Sequence, residues 1–491
     1  MDQSDDKPDA CAIPNAGIGR REFLQRAGAG AIAVGSVAGS WAATTEAPSA
    51  RKKTPSVDYD VIVIGGGFAG VTAARNVRQS GGRVLLLEAR DRLGGRTLTS
   101  DLAGHQVELG GTWIHWTQAF VWAEKERYAL EVVETPAKSP VNEEFIVKIG
   151  EDRVVLVGED VNPIVAAVED YFAEARQVWD RPYDAAFTWP EIISRDGLSA
   201  VDALDRKQYS PLQRAVVASY LAGLGNCDPR NLSYVDMLRW WSLPGWNFGA
   251  LNDSVIRYKF KDGTIALINA IVADGKPEVR LSTPVRRIDD LDGRVVVTTS
   301  RGEKISAAAV IVTLPLNVLP DVEFSPSLDA KVAEAGKEGH CGAGIKVMVK
   351  TKGRVTQHDK STALGSVSEP LSFVFTYALE DDYSILCGFG PTAGKLDVNN
   401  VAAVQAALRT YYPNIEVDAC VGHAWTTDPY SRGTWANYRP GWFEKYYAHF
   451  GKERGRVLFA SADYGEGWRG FIDGAIGSGI RAAQRVETIL G

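Results

Sequence analysis

Cysteine and histidine are scarce in this chain, with five and six residues among 491. Cys11, Cys227, Cys341, Cys387 and Cys420 form no CxxC pair and keep no regular spacing. That excludes a disulfide framework and a thiolate zinc site, and predicts isolated buried thiols. The histidines keep no metal-ligand spacing, and neither G-x-S-x-G nor H-E-x-x-H occurs, so hydrolase and metalloenzyme readings fall away. A Lys/Arg stripe with interleaved aromatics is also missing. With 54 basic against 61 acidic residues and a pI near 5.6, no nucleic-acid partner is expected. A mean hydropathy of −0.13 leaves no room for a bundle of membrane spans.

What the chain has in quantity is glycine, at 49 residues, and tryptophan, at 13. So much glycine implies many places of close backbone approach or positive φ, and the tryptophans imply a large aromatic interior or an aromatic-lined pocket. The length is about three times that of a usual domain, so two joined domains or one large domain with insertions is expected. Hydrophobic residues at 45% and charged ones at 23% exclude disorder as the main state.

The amino terminus reads as an address. Ile18 to Leu24 carry Arg20 and Arg21, and a charge-free Ala/Gly-rich stretch follows from Ala27 to Ala43. This resembles a twin-arginine export signal; a membrane anchor is the competing reading, but the stretch is shorter and less apolar than the roughly 20 residues that span a bilayer. Such a route carries folded proteins, often with a cofactor aboard, and implies a periplasmic location. A cytoplasmic protein with an uncleaved leader is the alternative. Residues 1–56 are set aside as signal and linker.

Tyr59 to Ile64 is a β-branched run suited to a buried parallel strand. It leads directly into Gly65-Gly66-Gly67-Phe68-Ala69-Gly70, a G-x-G-x-x-G pattern, then a helical pattern with Val71, Ala74 and Val77 on one face. Gly81 and Gly82 end that helix, and Arg83 to Leu87 form a second strand closed by Glu88. Gly65 permits the tight turn, Gly67 lets backbone N–H groups approach a pyrophosphate, and Gly70 lets helix pack on strand. Glu88 can accept from a ribose hydroxyl. A lone glycine pattern is weak, but strand, turn, helix, second strand and terminal carboxylate together read as a dinucleotide site.

After Glu88 come Ala89, Arg90, Arg92, Gly94, Gly95 and Arg96, then Glu108-Leu109-Gly110-Gly111-Thr112-Trp113. Here the sequence resembles the flavin-containing amine oxidase (monoamine oxidase) family, from about Asp58 to Gly491. Its leader and the stretches Leu109 to Trp116 and Gly467 to Ala475 are most like the bacterial members that act on pseudooxynicotine and nicotine. The resemblance implies an α/β (α+β) fold, in which a Rossmann-like FAD-binding domain is interleaved with a substrate domain of mixed sheet plus helices. Segments 57–135, 255–318 and 440–491 would build the first domain, and 136–254 and 319–439 the second. Helices over Asn162 to Trp179 and Asn400 to Tyr411 and a strand over Leu371 to Thr376 are expected in the latter.

The same resemblance implies a set of FAD contacts. They are Gly65, Gly67, Phe68, Ala69, Gly70, Glu88, Ala89, Arg90, Gly95, Arg96, Gly110, Gly111, Thr112, Trp113, Val285, Asp463, Phe471, Ile472 and Ala475. Val285 would pair with the adenine edge, and Asp463 stands where a glutamate is commoner. The helix after Gly474 would turn its positive end to the flavin. Lys346 matches the family lysine that holds a water against flavin N5, and burial would depress its pKa; a surface lysine on an edge strand is the plain reading. Trp435 and Phe471 would wall an aromatic cage, Phe471 replacing a usual tyrosine and making the cage less polar. The plain reading of both is core packing. His115, Trp113 and Trp116 follow the second glycine pair and are candidates for the pocket lining.

Thr434 stands where covalent members carry cysteine, so FAD is expected to be bound non-covalently. The implied reaction takes hydride from the carbon beside an amine nitrogen to the flavin, with hydrolysis of the imine to an aldehyde or ketone. The expected substrate is pseudooxynicotine or another nicotine-derived or bulky amine, the acceptor oxygen or a cytochrome c, and the assembly a homodimer. An L-amino acid oxidase, with Arg439 or Arg469 clamping the carboxylate, and a non-catalytic flavin-binding redox partner stay open.

Overall fold

The computed structural model describes residues 56–136 and 142–490. The twin-arginine leader and Cys11 lie outside the described residues. Two sheets organise the rest. The first has eight strands and is built on Tyr59–Ile64, whose Val61, Ile62 and Val63 are wholly buried, as a strand covered on both faces requires. Val84–Leu87 and Lys304–Val312 flank it in parallel, Glu278–Arg280 and Val457–Phe459 extend the parallel part, and Arg294–Thr299 and Val285–Leu291 turn back antiparallel. Glu323–Ser325 also joins this sheet, beside Arg287 to Asp289. That short strand crosses the expected domain border at residue 318.

The helix Phe68–Gln79 follows the first strand at the glycine turn and packs between Thr264–Gly275 and the long terminal helix Ile472–Leu490. Gly65 takes φ +106°, a conformation other residues resist. A Cβ on Gly70 would stand 1.9 Å from the Gly65 carbonyl oxygen, so only glycine lets the helix sit so close.

The second sheet is mixed and has seven strands in the order Val417–Gly422, Ile345–Thr351, Ser384–Gly390, Phe373–Leu379, Lys360–Leu364, Glu143–Ile149, Asp152–Val157. The Lys346 strand is therefore interior, not the edge strand of the plain reading. The strand expected over Leu371 to Thr376 is Phe373–Leu379, starting two residues later and ending three later. Its Phe373-Val374-Phe375 alternation puts both phenylalanines in one core cluster and Val374 in another.

Helices cover this sheet. Pro211–Gly225 starts from a Ser210/Gln213 capping box with Pro211 in its first turn and ends at left-handed Asn226. Phe248–Ile256 is capped by Asn247, whose side chain accepts from Ala250 N at 2.7 Å. The helix expected over Asn162 to Trp179 is broken into Asn162–Tyr171 and Ala175–Val178. At the break Phe172 lies flat on Trp241, centroids 4.5 Å apart. Asn400 caps Val401–Arg409, close to the expected span.

The four described cysteines are free thiols. They are not all isolated, contrary to the sequence expectation: the chain brings Cys227 and Cys341 together deep in the core, where the neighbouring Cys341 and burial push the Cys227 thiol well up.

Candidate functional site

An elongated cavity of about 420 Å³ runs between the two sheets, within the range of roughly 300 to 1,000 Å³ usual for small-molecule sites. One end is the glycine turn. Gly65, Gly67, Phe68 and Ala69 line it, together with Glu88, Ala89, Arg90, Gly95 and Arg96. The Glu88 carboxylate is buried, accepting from Gly66 N at 2.6 Å and Arg90 N at 2.8 Å, so it ties the turn to the following loop. The Val285 segment is zipped to the same loop, Thr283 N donating to Glu88 O and Ser282 N to Arg90 O, both at 2.8 Å. Val285 lines the cavity beside Thr283 and Pro284.

Three observations make this end fit a dinucleotide. No side chain caps the Phe68–Gln79 helix, and its first turn holds no acidic residue, so the N–H groups of that turn are left to the cavity. A Cβ on Gly67 would meet only Gly95, at 3.7 Å. The protein alone does not require glycine there, and a close-lying ligand would. Arg90 and Arg96 both border the space, held by Asp428 at 2.6 Å and by Asp463 respectively.

Two expected contacts lie off the cavity wall. Gly70 packs helix on turn. Asp463 is fully enclosed by protein: it accepts from Arg96 and from Leu316 N at 2.8 Å, with His340 Nε2 at 3.3 Å. Arg96 and His340 hold its carboxyl well below the usual range against the opposing effect of burial. Its place in the structure is to aim Arg96.

Gly110, Gly111, Thr112 and Trp113 line the middle of the cavity, and Phe471, Ile472 and Ala475 enter it from the start of the terminal helix. Beyond them lies an aromatic chamber. Trp435 stands edge-on to Phe389 at 5.2 Å, and Phe471 packs on Trp240 at 4.7 Å. Phe375 touches Phe389 and Trp113, and Tyr220 packs on Phe373. Trp435 and Phe471 are only half-buried and both face the cavity, which separates them from plain core residues. Tyr220, Trp240, Asn252, Phe373, Phe375 and Phe389 were not singled out from sequence. The Phe-Val-Phe alternation was the one local sign, and it does not reveal which face a sheet will turn to a cavity.

Lys346 is the one charged side chain among these chamber and mid-cavity residues. It is buried, donating to Thr112 Oγ1 at 2.6 Å and Gly110 O at 2.9 Å, and lies 4.9 Å over the Trp113 ring. Burial lowers its pKa, opposed by the fields of Cys387 and Glu108. Thr434 lines the cavity, and its Oγ1 is buried with no hydrogen-bond partner among the described residues. None of the four described cysteines lines the cavity.

Arg439 and Arg469, the two candidate carboxylate clamps, do not reach the chamber. Arg469 pairs with Asp236 and stacks 3.4 Å from the Tyr438 centroid; Arg439 donates to Gly339 O at 2.7 Å. His115 and Trp116 are also absent from the lining. His115 is tied to Asp253 at 2.9 Å, and Trp116 is 47% exposed. Short polar neighbours, Thr117 and Asp253, hold the ring away from the cavity.

Comparison with known proteins matches the family model described as flavin containing amine oxidoreductase over residues 68–487. The chain is 39% identical over 486 residues to pseudooxynicotine dehydrogenase of a Pseudomonas species, covering 97% of each chain. It is 36% identical to nicotine dehydrogenase of Pseudomonas putida, covering 97% of this chain and 98% of that one. Among solved structures, putrescine oxidase bound to putrescine superposes with a TM-score of 0.73 at 22% identity, over 88% of this chain and 99% of that one. Cyclohexylamine oxidase from Brevibacterium oxydans gives 0.73 at 19% identity with the same coverage. These two likenesses show the fold.

Proposed function

The chain belongs to the flavin-containing amine oxidoreductase family, and on that premise we propose that it oxidises pseudooxynicotine or a similar bulky, nicotine-derived amine with non-covalently bound FAD. The observation that carries the substrate reading is the chamber. Its walls are aromatic, and its one charge is the lysine already engaged by Thr112 and Gly110. Such a space accepts an apolar amine with a ring and offers nothing to a carboxylate or to the second cation of a polyamine. Arg439 and Arg469, both engaged by protein groups away from the chamber, weigh against the amino acid oxidase reading. The names of the two Pseudomonas relatives agree with the chamber.

FAD, when bound, supplies a hydride acceptor at N5 for the carbon next to the amine nitrogen, and the imine is then hydrolysed to an aldehyde or ketone. Trp435 and Phe471 fix the amine by its faces, and their rings exclude bulk water from it. Lys346, whose burial favours the neutral amine, holds the water used in hydrolysis or reoxidation. Glu88, Arg90, Arg96 and the open end of the Phe68–Gln79 helix hold the dinucleotide. Thr434 has no thiol to offer, so the cofactor is released on denaturation. Yellow colour in an acid pellet would contradict this point.

Both relatives are named dehydrogenases, which supports a cytochrome c rather than oxygen as acceptor. Arg20 and Arg21 support export to the periplasm, where such cytochromes reside, and a homodimer completes the reading. The test is a panel of kcat/KM values for pseudooxynicotine, nicotine, simple monoamines, putrescine and amino acids. Pseudooxynicotine or nicotine should lead by at least tenfold; a lead for an amino acid or a diamine rejects the chamber argument.

A further inference from the structure

A second lysine lies buried beside the first. Lys259 sits on Tyr258–Phe260, the middle strand of a small three-stranded sheet, directly across from Trp113 on the neighbouring strand. Its side chain is withdrawn from water, donates to Tyr377 O at 2.8 Å and lies 3.3 Å from the Tyr377 ring centroid. Tyr377 in turn packs edge-on to Trp113, whose ring faces Lys346. No carboxylate among the described residues comes within ion-pair distance of either lysine. Glu108, the acid whose field reaches Lys346, is committed to Thr264 N at 2.8 Å and to the hydroxyls of Thr99 and Thr264.

The ionisable groups facing Lys259 are Lys346 and the buried thiol of Cys387, with Tyr377 beneath it. Burial pushes the thiol up to about 11 and the phenol further, so neither supplies a negative charge near neutral pH. Two amines thus lie around one aromatic ring with no carboxylate among the described residues at ion-pair distance from either, and like charges there disfavour each other. Burial, with the repulsion of Lys346 added, brings Lys259 down to about 7.

We propose that Lys259 is a second buried amine behind the active site, coupled to Lys346 around Trp113 so that the two do not readily carry a proton together. Lys259 is a positioning residue in this scheme, since it does not border the cavity. The inference rests on the proposed function in placing Lys346 at the flavin. The two amines titrate as a pair, and the flavin's reduction is linked to the pair's protons.

The test is the midpoint potential of the protein-bound flavin as a function of pH, measured without any amine substrate. Lys346→Met identifies the breaks that belong to lysine. The wild type should show two lysine-dependent breaks and Lys259→Met one. Lys259→Arg keeps a permanent charge, so its remaining break should fall about one pH unit below that of Lys259→Met. No lysine-dependent break, or two such breaks persisting in Lys259→Met, overturns the coupling. Equal displacement of the methionine and arginine variants also overturns it, because that pattern belongs to packing. A flavin that shows these breaks but is bleached by no amine rejects the amine-oxidising reading alone, so the two failures are distinguishable.

Discussion

The Lys346 amine donates to the Thr112 hydroxyl at 2.6 Å, joining an interior strand of one sheet to the glycine-rich segment that lines the middle of the cavity. A lysine on an exposed edge could make no such link. Because that link orients the amine, Lys346→Met should slow flavin reduction or reoxidation by at least tenfold in stopped-flow measurements. The melting temperature should hold or rise, since an apolar side chain replaces a buried polar one. Thr112→Val should reproduce part of the rate loss with the fold intact.

Glu88 predicts a different loss. Its carboxylate organises the turn through Gly66 N and Arg90 N, so Glu88→Gln weakens one charge-assisted hydrogen bond of about 1.5 to 3 kcal/mol and forces an amide group toward an N–H. Cofactor dissociation, followed by fluorescence, should rise about tenfold or more, while the rate of the fully loaded enzyme changes little.

The chamber walls should separate catalysis from folding. Trp435 is half-buried, and among the described residues its one ring contact is with Phe389. Trp435→Ala should therefore reduce kcat/KM by about a hundredfold with a modest fall in melting temperature. Phe471→Tyr adds a hydroxyl to a ring wedged between Trp240 and Trp468 and should shift preference toward more polar amines. Equal loss of stability and turnover in Trp435→Ala would mark it as a core residue.

Two buried groups predict opposite slopes of stability with pH. Asp473 accepts from Phe120 N at 2.6 Å and Val121 N at 3.0 Å, yet burial pushes its carboxyl up to about 6. Between about pH 4 and 6 the folded chain therefore holds a proton that the unfolded chain has lost, and this group's contribution to stability falls as pH rises. Asp473→Asn keeps the acceptor and should raise the melting temperature above pH 7. Lys259, lowered to about 7, acts in the other sense. From about pH 7 to 10 the unfolded chain holds the extra proton, so stability gains with rising pH, and Lys259→Met should flatten that rise. Thermal melts across this range check both signs.

The parts of this site that were legible in the sequence are those whose chemistry is contiguous. The Tyr59 to Glu88 unit could be read directly, because turn, helix and carboxylate lie within about 30 residues. Lys346 was found by resemblance, and its burial follows from a sheet order that places Val417–Gly422 outside it, which local pattern does not disclose. Lys259 was invisible: Arg257 and Lys261 flank it, and a three-residue strand between charges reads as surface. Asp463 was expected at the cofactor only through the resemblance, and its partners Arg96, Leu316 and His340, which enclose it, are remote in sequence. Arg439 and Arg469 stand beside the cage motif in sequence, but contacts with Gly339 and with Asp236 direct them away from the chamber.

The most direct test of the central claim is anaerobic mixing of the purified holoprotein with pseudooxynicotine or nicotine while the yellow flavin band is followed. The account predicts full bleaching by at least one of them at a saturating, concentration-dependent rate, and none by amino acids. A flavin that stays oxidised with every amine tried, while dithionite still reduces it, would contradict the account.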